Sequence, residues 1–160
     1  MKHTDIRQIL TSPESFFEKP VTVCGWIRLC RDSKNMAFIA LNDGTSLGHL
    51  QIVIDKSKVT LPEGASRVGS SVMVKGTAVR SFNKNQAVEV NADSVVLLGD
   101  CPLDYPIQKA KTSLDYLRTL PHLRVRTNTF SAVFRIRSRI SAAIHRYFQS
   151  NGYIYAHTPI

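Results

Sequence analysis

No apolar run in this sequence approaches the length needed to cross a bilayer, and the opening MKHTDIRQ is polar and carries an acid, so neither a membrane span nor a signal or transit peptide is read from it. Cysteine is scarce. Cys24, Cys30 and Cys101 are odd in number and lack C-x-x-C spacing, and the five histidines are scattered without a ligand pattern. A disulfide framework and a structural metal are therefore not expected, and a reducing, cytoplasmic setting is. The single tryptophan, Trp26, falls in an apolar stretch with Cys24 and is read as core.

The scarcest thing in the second half is negative charge. The net charge is +9, yet residues 1–100 hold 12 Lys+Arg against 10 Asp+Glu, whereas residues 101–160 hold 9 against 2, with no acid after Asp115. Seven arginines lie between Arg118 and Arg146. Two readings stand side by side: an electrostatic footprint for a polyanion, or a surface whose acidic partners lie outside this chain. The arginines at 124, 126, 135, 137, 139 and 146 are read as structural or interface residues rather than as readers of bases.

What is present is mainly β pattern with flanking helices. Ile6, Ile9 and Leu10 have helical spacing, and Ser12-Pro13-Glu14 reads as an N-cap, first-turn proline and first-turn acid. Alternation then predicts strands at 21–31, 36–42, 50–54, 71–79 and 87–98, with Asp43-Gly44 and FNKNQ as turns and 61–69 as a loop or short helix. Five strands with an insertion after the third match a Greek-key barrel of the oligonucleotide-binding (OB) type, over residues 1–102. CPLDYP opens a hinge at 103–127. A long helix capped by Thr127 or Asn128 follows, with an apolar stripe through Phe130, Val133, Phe134, Ile140, Ile144, Tyr147 and Phe148, and Asn151-Gly152 as its stop. YIYAHTP reads as the start of another strand.

Strand parity exposes the residues of interest. In MAFIALN, Ala37, Ile39 and Leu41 share one face and Phe38 takes the other; in LQIVI, Leu50, Ile52 and Ile54 point inward and Gln51 outward. A ring and an amide on one sheet face suit single-stranded nucleic acid. A ring covered by the amino-terminal helix or hinge, and a merely solvated glutamine, are the plainer alternatives. Arg31 has the wrong parity, sharing that of Ile27 and Leu29, so a bend at Gly25 or the end of the strand is needed to free it. Asp32 is read as a partner for Arg31 or a lysine.

GWIRLCRDSKNMAFIALNDGT with LQIVI, followed by YPIQKAKTSLDYLRTLPHLRVRTNTFSAVFRIRSRISAAIHRYFQSNGYIYAHTPI, resembles the amino-terminal third of a bacterial-type asparaginyl-tRNA synthetase. HLRVRTNTF points to the asparagine enzyme among its aspartate- and lysine-specific relatives. The resemblance implies an anticodon-binding barrel, a hinge and, from 128 to 160, the first helix and strand of a class II catalytic domain. It implies that Phe38 stacks on a central anticodon uridine, that Gln51 and Arg31 hydrogen-bond bases or phosphates, and that Glu89, outward between Val88 and Val90, reads a base edge. Pro159 would sit at the motif 1 interface of a homodimer. Motifs 2 and 3 are absent from these residues, so no catalytic residue is assigned. ATP and magnesium belong to the parent enzyme, where the metal would screen phosphates. A stand-alone RNA-binding or dimerisation module, and the matching piece of an aspartate- or lysine-specific synthetase, are the competing readings.

Overall fold

A computed structural model describes residues 2–81, 86–108 and 112–159. The expected FNKNQ turn lies outside these residues except for Gln86, as does part of the expected hinge at 109–111. The chain divides into two compact units, at 112/113.

The first unit is a closed five-stranded barrel. Strands β1 (Pro20–Asp32), β2 (Met36–Asn42), β3 (Leu50–Asp55), β4 (Ser71–Arg80) and β5 (Val88–Gly99) are ordered β1-β2-β3-β5-β4, with β4 returning to β1. All neighbours are antiparallel except β3 and β5, which run parallel. Closure removes the open edges that a five-stranded sheet would otherwise present.

Alternation fills the barrel. Ala37, Ile39 and Leu41 of β2 and Leu50, Ile52 and Ile54 of β3 are fully buried, joined by Val88 and Val90 of β5. Burying each such side chain stabilises the fold by about 1.5–3 kcal/mol before the entropy of ordering is set against it. Helix α1 (Ile6–Thr11) buries Ile6 and Ile9 in the same cluster.

Two connections depend on residues distant in sequence. The Ile6 backbone N–H donates to Asp43 Oδ2 at 2.7 Å and the Arg7 N–H to Thr45 Oγ1 at 3.0 Å, so the β2–β3 turn satisfies the start of α1. Ser12, expected to cap a helix, precedes only a short 3-10 turn at Pro13–Ser15 and makes no side-chain cap bond. Gly25 is required where β1 and β2 approach, because a Cβ there would lie 2.5 Å from the Asn42 carbonyl oxygen. Trp26, read as core, is only half-buried and lies over Gly44.

The first unit takes in the beginning of the expected hinge. Cys101 and Tyr105 are buried, and both close on Gly69, which has a φ of +94°. No side chain fits the space Gly69 occupies, since a Cβ would lie 2.6 Å from Cys101 Sγ.

The second unit contains α2 (Leu114–Arg118) and α3 (Asn128–Ser150). Ser113 and Thr127 accept from the Tyr116 and Phe130 N–H groups, capping the two helices. The Arg124 guanidinium sits over the rings of Phe130 and Phe134, 4.9 and 5.7 Å from their centroids. Helix α3 ends where expected: the Gly152 N–H reaches Gln149 O and the Tyr153 N–H reaches Phe148 O, with φ +85° at Gly152. Residues 153–159 form no strand, contrary to expectation, because the ladder bonds of a strand need a neighbouring strand and no described residue supplies one. Among the described residues no helix is long and apolar enough to cross a membrane.

Candidate nucleic-acid interface

The outer face of β1, β2, β3 and β5 gathers the four residues singled out for binding. Phe38 lies opposite Arg31 on β1, Ala40 lies opposite Gln51 on β3, and Gln51 lies opposite Glu89 on β5. Phe38 and Gln51 are therefore diagonal neighbours, a separation of roughly 7–8 Å across an antiparallel pair. Phe38 is 37% exposed, so the amino-terminal helix does not cover it.

Arg31 reaches this face through a β-bulge. Ile27 pairs with Leu41 and Leu29 with Ala40, leaving Arg28 as one extra residue in β1. Past that point the parity of the strand is reversed. Cys30 packs against the core, while Leu29 and Arg31 turn outward and line the same groove as Phe38. The bend lies at Arg28, not at Gly25 as expected; β1 does end at Asp32, and it is the bulge that turns Arg31 outward. Asp32 pairs with Lys56, which leaves the Arg31 guanidinium outside that ion pair.

The groove has a volume of about 490 Å³ and is lined by Leu29, Arg31, Phe38, Ile39, Ala40, His49, Gln51 and Gln86. Its chemistry is a ring, a cation and amides, with an apolar floor. Gln51 Nε2 donates to Glu89 Oε2 at 3.3 Å, and the same oxygen accepts from Ser81 Oγ at 3.0 Å. Glu89 is thus half-buried beside the groove, tied to two neighbours.

Two lining residues went unnoticed in the sequence. His49 shares parity with Gln51 and was detectable by the same alternation, two residues upstream. Burial, and secondarily the nearby Arg28 guanidinium, hold its imidazole below the usual histidine range, favouring the neutral ring. Gln86 carries no such signal, since it precedes β5 and lies outside its alternation. Among the described residues no group of three or more His, Cys, Asp or Glu side chains is placed to hold a metal ion.

The barrel matches, over residues 21–98, the family described as OB-fold nucleic acid binding domain. At the level of fold, the chain superposes on asparaginyl-tRNA synthetase from Pyrococcus horikoshii with a TM-score of 0.84, covering 99% of this chain and 38% of that one at 22% identity. More narrowly, the chain is similar in sequence to asparagine-tRNA ligases. It is 44% identical over 161 residues to the asparagine-tRNA ligase of Clostridium tetani and 45% identical over 166 residues to that of Nostoc sp.. In both cases the match spans 100% of this chain and 35% of the relative, so the chain corresponds to about a third of the proteins it resembles.

Proposed function

We propose that the barrel binds the anticodon loop of a tRNA with a uridine at the central anticodon position, as the recognition portion of an asparagine-tRNA ligase. The observation that carries this reading is the open groove in which Phe38, Arg31 and Gln51 meet on one sheet face. A base stacked on Phe38 has the Gln51 amide at its edge and the Arg31 guanidinium within the same groove to donate to phosphate or base oxygens. Glu89, beside Gln51, is the fourth member of this set.

The parent enzyme would attach asparagine to that tRNA in an ATP-dependent reaction through an adenylate. ATP and magnesium would belong to that reaction of the parent enzyme. The apolar stripe of α3, with Val133, Ile140, Ile144 and Phe148 exposed, supports a homodimer interface in the parent, to which Pro159 would belong. The scarcity of cysteine is in keeping with a cytoplasmic location.

Titration of an anticodon stem-loop with a central uridine, against the same stem-loop carrying another base there, tests the reading at fixed salt. The expected result is weaker binding of every replacement. Equal affinity for all central bases would overturn base-specific recognition and favour a general single-strand binder.

A further inference from the structure

The apolar stripe of α3 is interrupted by a charge. Phe130, Val133, Arg137, Ile140, Ile144 and Tyr147 follow one another at steps of three, four, three, four and three residues, the spacing that keeps side chains in one seam along a helix. Val133, Ile140, Ile144 and Tyr147 are exposed, and Arg137 is exposed with them. A guanidinium therefore holds one position of a seam that is otherwise apolar.

A second guanidinium lies close by. Arg137 sits over the Phe134 ring, 5.7 Å from its centroid, and Arg124 approaches the same centroid at 5.7 Å. The Arg124 Nε is buried with no hydrogen-bond partner among the described residues. None of the ion pairs among those residues includes either arginine. The one acid of the second unit, Asp115, is held by Arg118 at 2.7 Å.

The cost of burial restricts what can cover this seam. Covering Val133, Ile140 and Ile144 is favourable, whereas a guanidinium taken out of water without a counter-charge is strongly unfavourable. Two copies of the seam packed together bring arginines and no carboxylate, so they disfavour one another. A surface that sets a carboxylate against Arg137 gains the apolar contact and the ion pair together, and a single polar residue in an apolar seam is a known means of choosing a partner. This chain corresponds to 35% of the asparagine-tRNA ligases it matches, so a parent protein of that length has ample chain to supply such a surface.

We propose, building on the interface reading of α3 above, that Arg137 selects the partner of this helix: the seam docks on an apolar surface bearing a carboxylate, in the part of the parent outside these residues, and does not pair with its own copy. Arg124 adds positive charge at the same end of the seam.

Analytical ultracentrifugation of the 160-residue chain tests the exclusion. Wild type is expected to sediment as a monomer, and Arg137→Leu, which completes the apolar seam, to self-associate at least about tenfold more tightly. Arg139→Leu removes the same charge about 200° around the helix and should behave as wild type. Two synthetic amphipathic helices with leucines at the same spacing, one carrying a central glutamate and the other a glutamine there, test the chemistry of the occupant. The glutamate peptide is expected to bind wild type about tenfold more tightly than the glutamine peptide, and the difference should vanish in Arg137→Leu but persist in Arg139→Leu.

Self-association of wild type as strong as that of Arg137→Leu overturns the proposal and makes a second copy the occupant, leaving the interface reading intact. Equal binding of the two peptides to wild type overturns it too, as does an effect of Arg139→Leu equal to that of Arg137→Leu. If no form associates with itself or with either peptide, the interface reading and the proposal fall together.

Discussion

The two units differ in how they dispose of apolar surface and charge. The barrel buries its apolar face completely, with Ile39, Ile52 and Ile54 at zero exposure, and its sequence is nearly balanced in charge. The second unit carries the arginine excess and leaves Ile136, Ile140, Ile144 and Tyr147 of α3 more than half exposed. A closed sheet supplies both walls of its own core, whereas a single amphipathic helix supplies only one. The ring and amides of the groove thus belong to the nearly neutral barrel, and the arginine excess belongs to the second unit.

The largest test of this contrast is the removal of core volume. Ile39→Ala should lower the unfolding free energy by about 2–5 kcal/mol, measured by urea titration, because a closed barrel collapses poorly around a lost side chain. The matched change on the helix, Ile140→Ala, should stay within roughly 0.5 kcal/mol in the isolated chain. Similar losses at both positions would show that α3 is packed as tightly as the barrel and would break the comparison.

Next in size is the effect of the exposed ring. Phe38→Ala is expected to weaken stem-loop binding by about 1–3 kcal/mol while leaving the unfolding midpoint near the wild-type value, since the side chain contributes little to the core. A comparable loss of stability would indicate a packing role instead. Smaller again is the cap supplied by the β2–β3 turn: Asp43→Ala should cost about 0.5–2 kcal/mol and should increase hydrogen exchange at Ile6 and Arg7 before the rest of the barrel.

The smallest effect concerns His49. Its folded-state ionisation lies below the reference of 6.5, chiefly because of burial and then Arg28. The unfolded chain therefore binds the proton more readily, and stability rises with pH through this range. The contribution is fully present above pH 6.5 and is lost progressively as pH falls below it. His49→Gln should flatten the stability profile on the acid side, by unfolding measurements across that window. A profile of unchanged slope would place the responsible group elsewhere.

Much of the barrel was legible because a two-residue period has only two outcomes. The β2 boundaries and the inward and outward sets of β2 and β3 followed directly from MAFIALN and LQIVI. The same rule failed at Arg31, where one extra residue at Arg28 reverses the parity, and nothing in WIRLCRD marks the insertion. It was not applied to His49, which it would have found. The acceptor that satisfies the start of α1, Asp43, left no local signal because it lies 37 residues away.

By itself, the sequence determined which residues are apolar at which period, and therefore the five strands, the buried faces of β2 and β3 and the stripe on α3. Tertiary structure decided which outward residues meet. Strand pairing set Arg31 against Phe38 and Gln51 against Glu89, and the bulge turned Arg31 into the groove. Period is a property of neighbours along the chain, whereas register is a property of hydrogen bonds between strands that the chain brings together only on folding.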